Sequence, residues 1–122
     1  MSMVSALLRA EHVAVAVTGV IVYLAVGGSY LFIFPALLAP DLSMAGYLAG
    51  PRVGAVAYNV VHNVVLALAA IGLGWWLGAT WLVLVGGVLL AHVGMDRALG
   101  FGLKLPTSFQ DTHLGRIGRD PG

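Results

Sequence analysis

The chain has 122 residues, of which 60% are hydrophobic and only 9% are charged, and its formal net charge is +1. A soluble domain of this length would carry about a quarter charged residues and could not bury so much apolar surface in one small core. The composition therefore predicts an integral membrane protein. Because the chain has no cysteine, disulfides and thiolate metal sites are excluded.

Four apolar segments predict an all-α helical bundle with four membrane-spanning helices in a single domain, followed by a polar tail over residues 100–122. The spans are expected at residues 6–26, 29–48, 52–74 and 80–99. We expect the first to be retained as a span, because it lacks the flanking features of a signal peptide. Pro35 and Pro40 interrupt the second, which is therefore predicted to be kinked or short, with a re-entrant element as the alternative.

The basic residues favour four spans with both termini in the cytoplasm, in the inner (plasma) membrane of the cell. All six then lie on one side, as the positive-inside rule requires: Arg9, Arg52, Arg97, Lys104, Arg116 and Arg119. A three-span topology with the N-terminus outside violates the rule only at Arg9 and remains the alternative. Five aromatic residues are expected to form an outer interfacial belt: Tyr23, Tyr30, Trp75, Trp76 and Trp81.

Two ladders of small residues recur at a spacing of four, Gly46-Gly50-Gly54 and Ala70-Gly74-Gly78. Such faces let helices approach closely in lipid, so a homo-oligomer is one expectation. The tail is expected to fold back on the bundle, because Phe109 and Leu114 are apolar groups that a free linker would not need.

Ionisable residues inside spans are costly and usually face a bundle interior or one another. A spacing of four residues places His92 and Asp96 on one helical face, and Tyr58 and His62 on another. Since the third and fourth spans are predicted to be antiparallel, these faces can meet near the cytoplasmic mouth. Two acids of the first two spans are expected at the same level: Glu11 and Asp41.

Histidine and carboxylate side chains without cysteine form the ligand set of Zn²⁺, Mn²⁺ or non-haem Fe²⁺, with Zn²⁺ favoured here. An open position on the ion would hold a water whose pKa falls towards neutrality, ready for hydrolysis. The candidate ligands are His62, His92, Asp96, Asp111 and His113, and a carboxylate from Asp41 or Glu11 is expected to complete the shell. The candidate catalytic groups are Glu11, Asp41 and Tyr58, and the candidate lipid or anion contacts are Arg52, Arg97 and Lys104.

Each of these residues also has a structural interpretation: a hydrogen-bonded core histidine, an Asp–Arg pair at a helix end, an interfacial ion pair, a packing tyrosine or a polar tail. The spacing H-x-x-x-D is common by chance and lacks the specificity of the H-E-x-x-H helix of zinc proteases. The convergence of several such groups at one level is what favours a shared site.

Three long segments carry a resemblance to a known family: "LLRAEH", "APDLSMAGYLAGPRVGAVAYNVVHN" and "LAHVGMDRALGFGLKLPTSFQDTHLGRIGR". They resemble a family of short bacterial integral membrane proteins of unknown function, over nearly the whole chain. The resemblance implies a shared fold and a set of site residues, but no reaction. That set is Glu11, Asp41, Ser43, Arg52, Tyr58, Asn59, His62, His92, Asp96, Arg97, Lys104, Asp111 and His113. His12 departs from the small residue expected at its position.

Three functional hypotheses follow from the sequence. The first is a membrane-embedded metal-dependent enzyme, most simply a hydrolase. The second is a transporter or a component of an ion or proton relay, and the third is a structural or lipid-binding membrane protein without catalysis. The expected partners are membrane lipids, whereas nucleic-acid binding has no support beyond basic residues that the positive-inside rule already explains.

Overall fold

A computed structural model describes residues 2–117, in which five α-helices, one 3-10 helix and a two-stranded antiparallel hairpin follow one another along the chain. The elements are α1 Met3–Ala25, α2 Ile33–Leu38, the 3-10 helix Ala39–Ala49, α3 Pro51–Val61, α4 Val64–Leu77, α5 Thr80–Leu99, β1 Asp111–Thr112 and β2 Gly115–Arg116. Arg119 and the side chain of Arg116, counted above among the basic groups, lie outside the description. The predicted all-α architecture is confirmed.

Helices α1 and α5 pack backbone to backbone because glycines leave room between them. A Cβ atom added at Gly87 would lie 3.0 Å from the carbonyl oxygen of Gly19, and one at Gly94 would lie 2.8 Å from that of His12. The order of these contacts makes the two helices antiparallel, and it places Arg9 beside Gly100. The beginning of α1 and the end of α5 therefore lie at the same end of the bundle.

Helix α5 is the centre of the bundle, since α4 packs against it on another face. There a Cβ atom added at Gly86 would lie 2.8 Å from the carbonyl oxygen of Ala67, and one at Gly74 would lie 2.8 Å from the amide nitrogen of Val83. Gly74, a member of one predicted small-residue ladder, is thus used inside the chain. The homo-oligomer remains a prediction.

The second and third predicted spans differ from expectation. Residues 29–48 do not form one kinked α-helix but the short α2 and an eleven-residue 3-10 helix, while residues 52–74 are divided between α3 and α4, which meet at an angle of 41°. Helices α1 and α5 are long and apolar enough to cross a membrane, and the bent pair makes up to a third candidate span. A bundle of four full spans is therefore not confirmed, although a membrane protein is supported.

Four of the five predicted belt residues are exposed, namely Trp75, Trp76 and Trp81 at the α4–α5 turn and Tyr30, and for them the belt stays a prediction. Tyr23 is an exception, because only 6% of it is exposed and its hydroxyl donates to the carbonyl oxygen of Ser29 at 3.0 Å. It closes the turn after α1 from inside, so its assignment to the belt was wrong.

The tail folds back on α3, as the sequence predicted. The Asn59 side chain receives the backbone N–H of Lys104 at 2.6 Å and donates to its carbonyl oxygen at 2.8 Å. Phe109 packs edge-on against Tyr47 of the 3-10 helix, with 5.3 Å between ring centroids. The Asn59 side chain thus pairs with both the N–H and the carbonyl of Lys104, as a neighbouring β-strand would, and fixes the start of the tail beside the polar face of α3.

Candidate metal centre

The break between α3 and α4 positions the first histidine of the centre. His62 ends α3, and Asn63 begins α4 by accepting the N–H of Leu66 at 2.8 Å. The Asn63 amide also donates to the carbonyl oxygens of Asn59 and Val60, at 2.8 and 2.9 Å, so it satisfies groups that the end of α3 leaves open. One asparagine thus caps both helices and holds the bend at His62.

Four side chains from three parts of the chain converge at this bend: Asp41 of the 3-10 helix, His62 at the end of α3, and His92 and Asp96 of α5. One ligand atom from each can be chosen so that all four lie within 4.8 Å of one another. The Nε2 atoms of His62 and His92 are 3.1 Å apart, and Asp41 Oδ1 lies 3.0 and 3.1 Å from them. Asp96 Oδ2 lies 3.3 Å from His92 Nε2.

Backbone carbonyls fix the protonation pattern of both histidine rings. His62 Nδ1 lies 2.9 Å from the carbonyl oxygen of Tyr58, and His92 Nδ1 makes a short hydrogen bond to that of Leu37. A carbonyl oxygen only accepts, so each Nδ1 carries a proton and each neutral ring presents a lone pair at Nε2. Two lone pairs and the carboxylate of Asp41 consequently face one another.

The spacing of these atoms matches what a small divalent cation requires. Bonds of about 2.0–2.1 Å in tetrahedral geometry place neighbouring ligand atoms about 3.3–3.4 Å apart. The three separations among Asp41, His62 and His92, 3.0–3.1 Å, need to widen by only about 0.3 Å. Two imidazoles and one carboxylate on one face of an ion is the arrangement of His₂Glu zinc enzymes and non-haem iron enzymes.

Further side chains surround the four. The Tyr58 ring stacks on His62 at 3.7 Å between centroids, and its hydroxyl donates to Asp96 Oδ2 at 3.2 Å. The end of helix α3 leaves the carbonyl oxygen of His62 without a helical partner. Arg97 donates to this oxygen from Nη2 at 2.8 Å. Such contacts orient ligands and are the usual accompaniment of a metal site.

Lys104 lies on the other side of the Tyr58 ring, with its ammonium 4.8 Å from that ring centroid and 3.8 Å from that of Phe109. Burial lowers the pKa of Lys104, while the negative charges of Asp96 and Asp41 raise it. Only 4% of Lys104 is exposed, a placement that does not suit the lipid contact expected from the sequence.

The structure brings together His62, His92, Asp96, Asp41 and Tyr58, with Arg97 and Lys104 beside them, and leaves the other candidates elsewhere. Glu11 is exposed on α1, outside the cluster. Asp111 accepts from the Thr107 hydroxyl, and His113 Nδ1 accepts the N–H of Leu103, both within the tail. Arg52 is exposed, whereas Arg97 is buried.

The sequence interpretation missed two contributors. The carbonyl of Leu37 carries no side-chain signal, but Asn63 before an apolar run does read as a helix N-cap. Asp41 was expected either as a catalytic group or as the carboxylate that completes the ligand shell, and it lies among the ligand atoms.

Comparisons with known proteins complete this description. No curated protein and no solved structure matches the chain. The family model described as a domain of unknown function, DUF4260, matches residues 5–117, which include all four residues of the centre. The chain therefore belongs to this uncharacterised family, DUF4260.

Proposed function

We propose that the protein is a membrane-embedded metalloprotein that binds one divalent ion, with Zn²⁺ favoured over Mn²⁺ and Fe²⁺, and that it is a metal-dependent hydrolase. The observation that supports this most is the meeting of two imidazole lone pairs and a carboxylate at 3.0–3.1 Å. Three acceptors with no donor among them repel one another unless a cation or a proton lies between them.

The ligands in this proposal are His62, His92 and Asp41, and the base is Asp96. A divalent ion lowers the pKa of a bound water towards neutrality. The water oxygen would form a bond to the electrophilic atom of the substrate while Asp96 takes its proton, and the leaving group would depart with that proton. The Tyr58 hydroxyl holds the same carboxylate oxygen and so limits its rotation.

A proton relay is the second candidate, because the same groups form an unbroken chain. Tyr58, Asp96, His92, Asp41 and His62 are linked in that order by contacts of 3.0–3.3 Å. A proton in place of the metal would also relieve the repulsion. Metal content separates the two functions.

We propose that both termini lie on the cytoplasmic side of the inner membrane and that the chain crosses it an even number of times. The antiparallel contact of α1 and α5 supports termini on one side. Residues 33–49 support a further crossing, because six α-helical residues at about 1.5 Å and eleven 3-10 residues at about 2.0 Å give roughly 31 Å. The hydrocarbon core is about 30 Å thick.

The decisive experiment is metal analysis by mass spectrometry on the detergent-purified protein after loading with Zn²⁺, Mn²⁺ or Fe²⁺ and desalting. We expect about one ion per chain, and a loss of affinity of more than 100-fold in His92→Ala, since even contacts behind the ligands are worth about 10–100-fold. His12→Ala is the matched control, because His12 lies on α1 outside the cluster. Equal metal content in both variants, or none in the parent, would contradict the metal site.

The hydrolase assignment is tested separately, with the Asp96→Asn variant in a screen of chromogenic ester and phosphoester substrates. We expect metal binding to survive, because three ligands remain, and hydrolysis to fall at least about 100-fold, the lower range of what a general base contributes. Metal-loaded parent protein that hydrolyses none of these substrates faster than Asp96→Asn would count against hydrolysis and leave the metal site standing.

A further inference from the structure

A basic pocket lies where α1 begins and α5 ends, formed by residues outside the four-residue metal cluster. Its volume is about 330 Å³, and it is closed on one side by the tail. Its polar lining comes from Ser5, Arg9 and His12 of α1, Arg97 of α5 and His113 of the tail. This volume exceeds that of a phosphate group and its first neighbours, so the pocket is of a size for a lipid headgroup.

The pocket has positive charge and no acidic lining residue. Within residues 2–117, neither Arg9 nor Arg97 forms an ion pair with a carboxylate. Arg97 is 8% exposed, its guanidinium donates to the carbonyls of Phe101 and His62, and Asp96 acts on it only at longer range. Two arginines at one cavity therefore offer further N–H donors to an anion.

The two histidines of the pocket differ in what they offer. His113 accepts the N–H of Leu103 at Nδ1, at 2.8 Å, so its Nε2 carries a proton and can donate. His12 donates from Nδ1 to the carbonyl of Leu8, at 2.8 Å, so its Nε2 donates only when the ring is protonated. The nearby Glu11 is exposed and is not part of the lining.

An apolar groove of about 460 Å³ lies along α1 and α5. Arg9 lines the pocket and Val13 lines the groove, and because they are four residues apart they lie on one face of α1. The groove wall is wholly apolar and includes Ala98. A charged pocket at the end of an apolar groove has the polarity of a single phospholipid.

We propose that this pocket and groove bind one anionic phospholipid, with its phosphate at Arg9 and Arg97 and one acyl chain between α1 and α5. Arginine forks match phosphate oxygens in pairs, and basic groups at the cytoplasmic membrane surface attract anionic lipid. The groove is what favours a lipid over free phosphate, since a soluble anion would make no use of it. The assignment does not depend on a metal at the neighbouring centre.

The test is native mass spectrometry of the full-length protein in detergent, titrated with phosphatidylglycerol, phosphatidylcholine or inorganic phosphate. We expect one tightly bound phosphatidylglycerol, with Arg9→Gln weakening it by about 10-fold or more, as the loss of a charge-assisted hydrogen bond does. Arg52→Gln is the matched control. Arg52 is exposed and lies outside the pocket, so this substitution removes the same charge without touching the proposed site. A second variant, Ala98→Phe, fills the groove and should weaken phosphatidylglycerol without altering any charge.

Melting curves by circular dichroism show whether Arg9→Gln or Ala98→Phe fails to fold. If one does, the phosphatidylglycerol affinity of the other is compared with that of the parent protein. Equal affinity for phosphatidylcholine and phosphatidylglycerol would overturn the proposal. So would inorganic phosphate binding as tightly as the lipid, or equal losses in Arg9→Gln and Arg52→Gln. A groove-filled Ala98→Phe protein that binds phosphatidylglycerol normally would overturn the placement of the acyl chain and with it the lipid assignment.

Discussion

Replacing Asn63 by leucine should straighten the bend that carries His62. The side chain makes three hydrogen bonds, one as the N-cap of α4 and two to carbonyls at the end of α3. An N-cap is worth about 1 kcal/mol, and each bond to a carbonyl inside a membrane protein about 0.6–1 kcal/mol. Asn63→Leu should therefore destabilise the fold by about 2–3 kcal/mol and favour one continuous helix.

The consequence for the site follows from the backbone. In a continuous helix the carbonyl of His62, which Arg97 now binds at 2.8 Å, would accept a backbone N–H of the next turn instead. The His62 ring would then turn away from His92. We expect metal affinity to fall by about 10–100-fold, as for other residues that orient ligands. Unfolding is followed by circular dichroism in detergent, and metal affinity by competition with a chromogenic chelator.

Two control variants sharpen the comparison. Asn63→Asp keeps the acceptor for Leu66 but loses both donated bonds, so it should cost about 1–2 kcal/mol. Thr18→Val removes an exposed hydroxyl bond within α1 and should change stability by less than about 0.5 kcal/mol. An Asn63→Leu protein with the stability and metal affinity of Thr18→Val would show that the reasoning about the bend is incorrect.

Three other predictions follow from particular contacts. Gly94→Leu should separate α1 from α5 and lower the free energy of unfolding by about 1–3 kcal/mol, whereas Gly72→Leu, at a position with open space, should leave stability unchanged. Equal melting temperatures of the two variants would contradict the close packing of α1 and α5. Tyr58→Phe keeps the ring on His62 but removes the hydroxyl that holds the Asp96 carboxylate, so hydrolysis in the substrate screen should fall by about 10-fold while metal affinity stays the same. Unchanged hydrolysis would show that the hydroxyl does not position the base. Asn59→Ala should release the start of the tail, measured as faster limited proteolysis after residue 100, and an unchanged cleavage rate would refute the clamp.

Helical spacing and depth counting predicted much of the centre. The spacing of four residues placed His92 with Asp96 on α5 and Tyr58 with His62 on α3, and the structure has both pairs. Counting residues from the ends of the spans also placed Asp41 near this level, where it lies 3.0 Å from His62. These inferences succeeded because they depend on helical periodicity and length alone.

Depth does not determine which side of a helix faces a neighbour, and Glu11 failed to join the centre for that reason. Glu11 and His12 lie at nearly the same depth but point about 100° apart around α1. The structure turns His12 towards the basic pocket and leaves Glu11 exposed, the reverse of their ranking from the sequence. The face that α1 presents to α5 is set by Gly19, Gly87 and Gly94, whose role is visible only once the helices are paired.

The two interruptions of helical hydrogen bonding explain why the centre lies where it does. In a 3-10 helix the carbonyl of Leu37 would pair with the N–H of residue 40, but Pro40 has none, so that carbonyl is open to Nδ1 of His92. At the second interruption, the end of α3 leaves the carbonyl of His62 open to Arg97. The proline and the asparagine that interrupt the helices thereby leave open one carbonyl that orients the His92 ring and one through which Arg97 holds the backbone of His62, so the irregular backbone is part of the site.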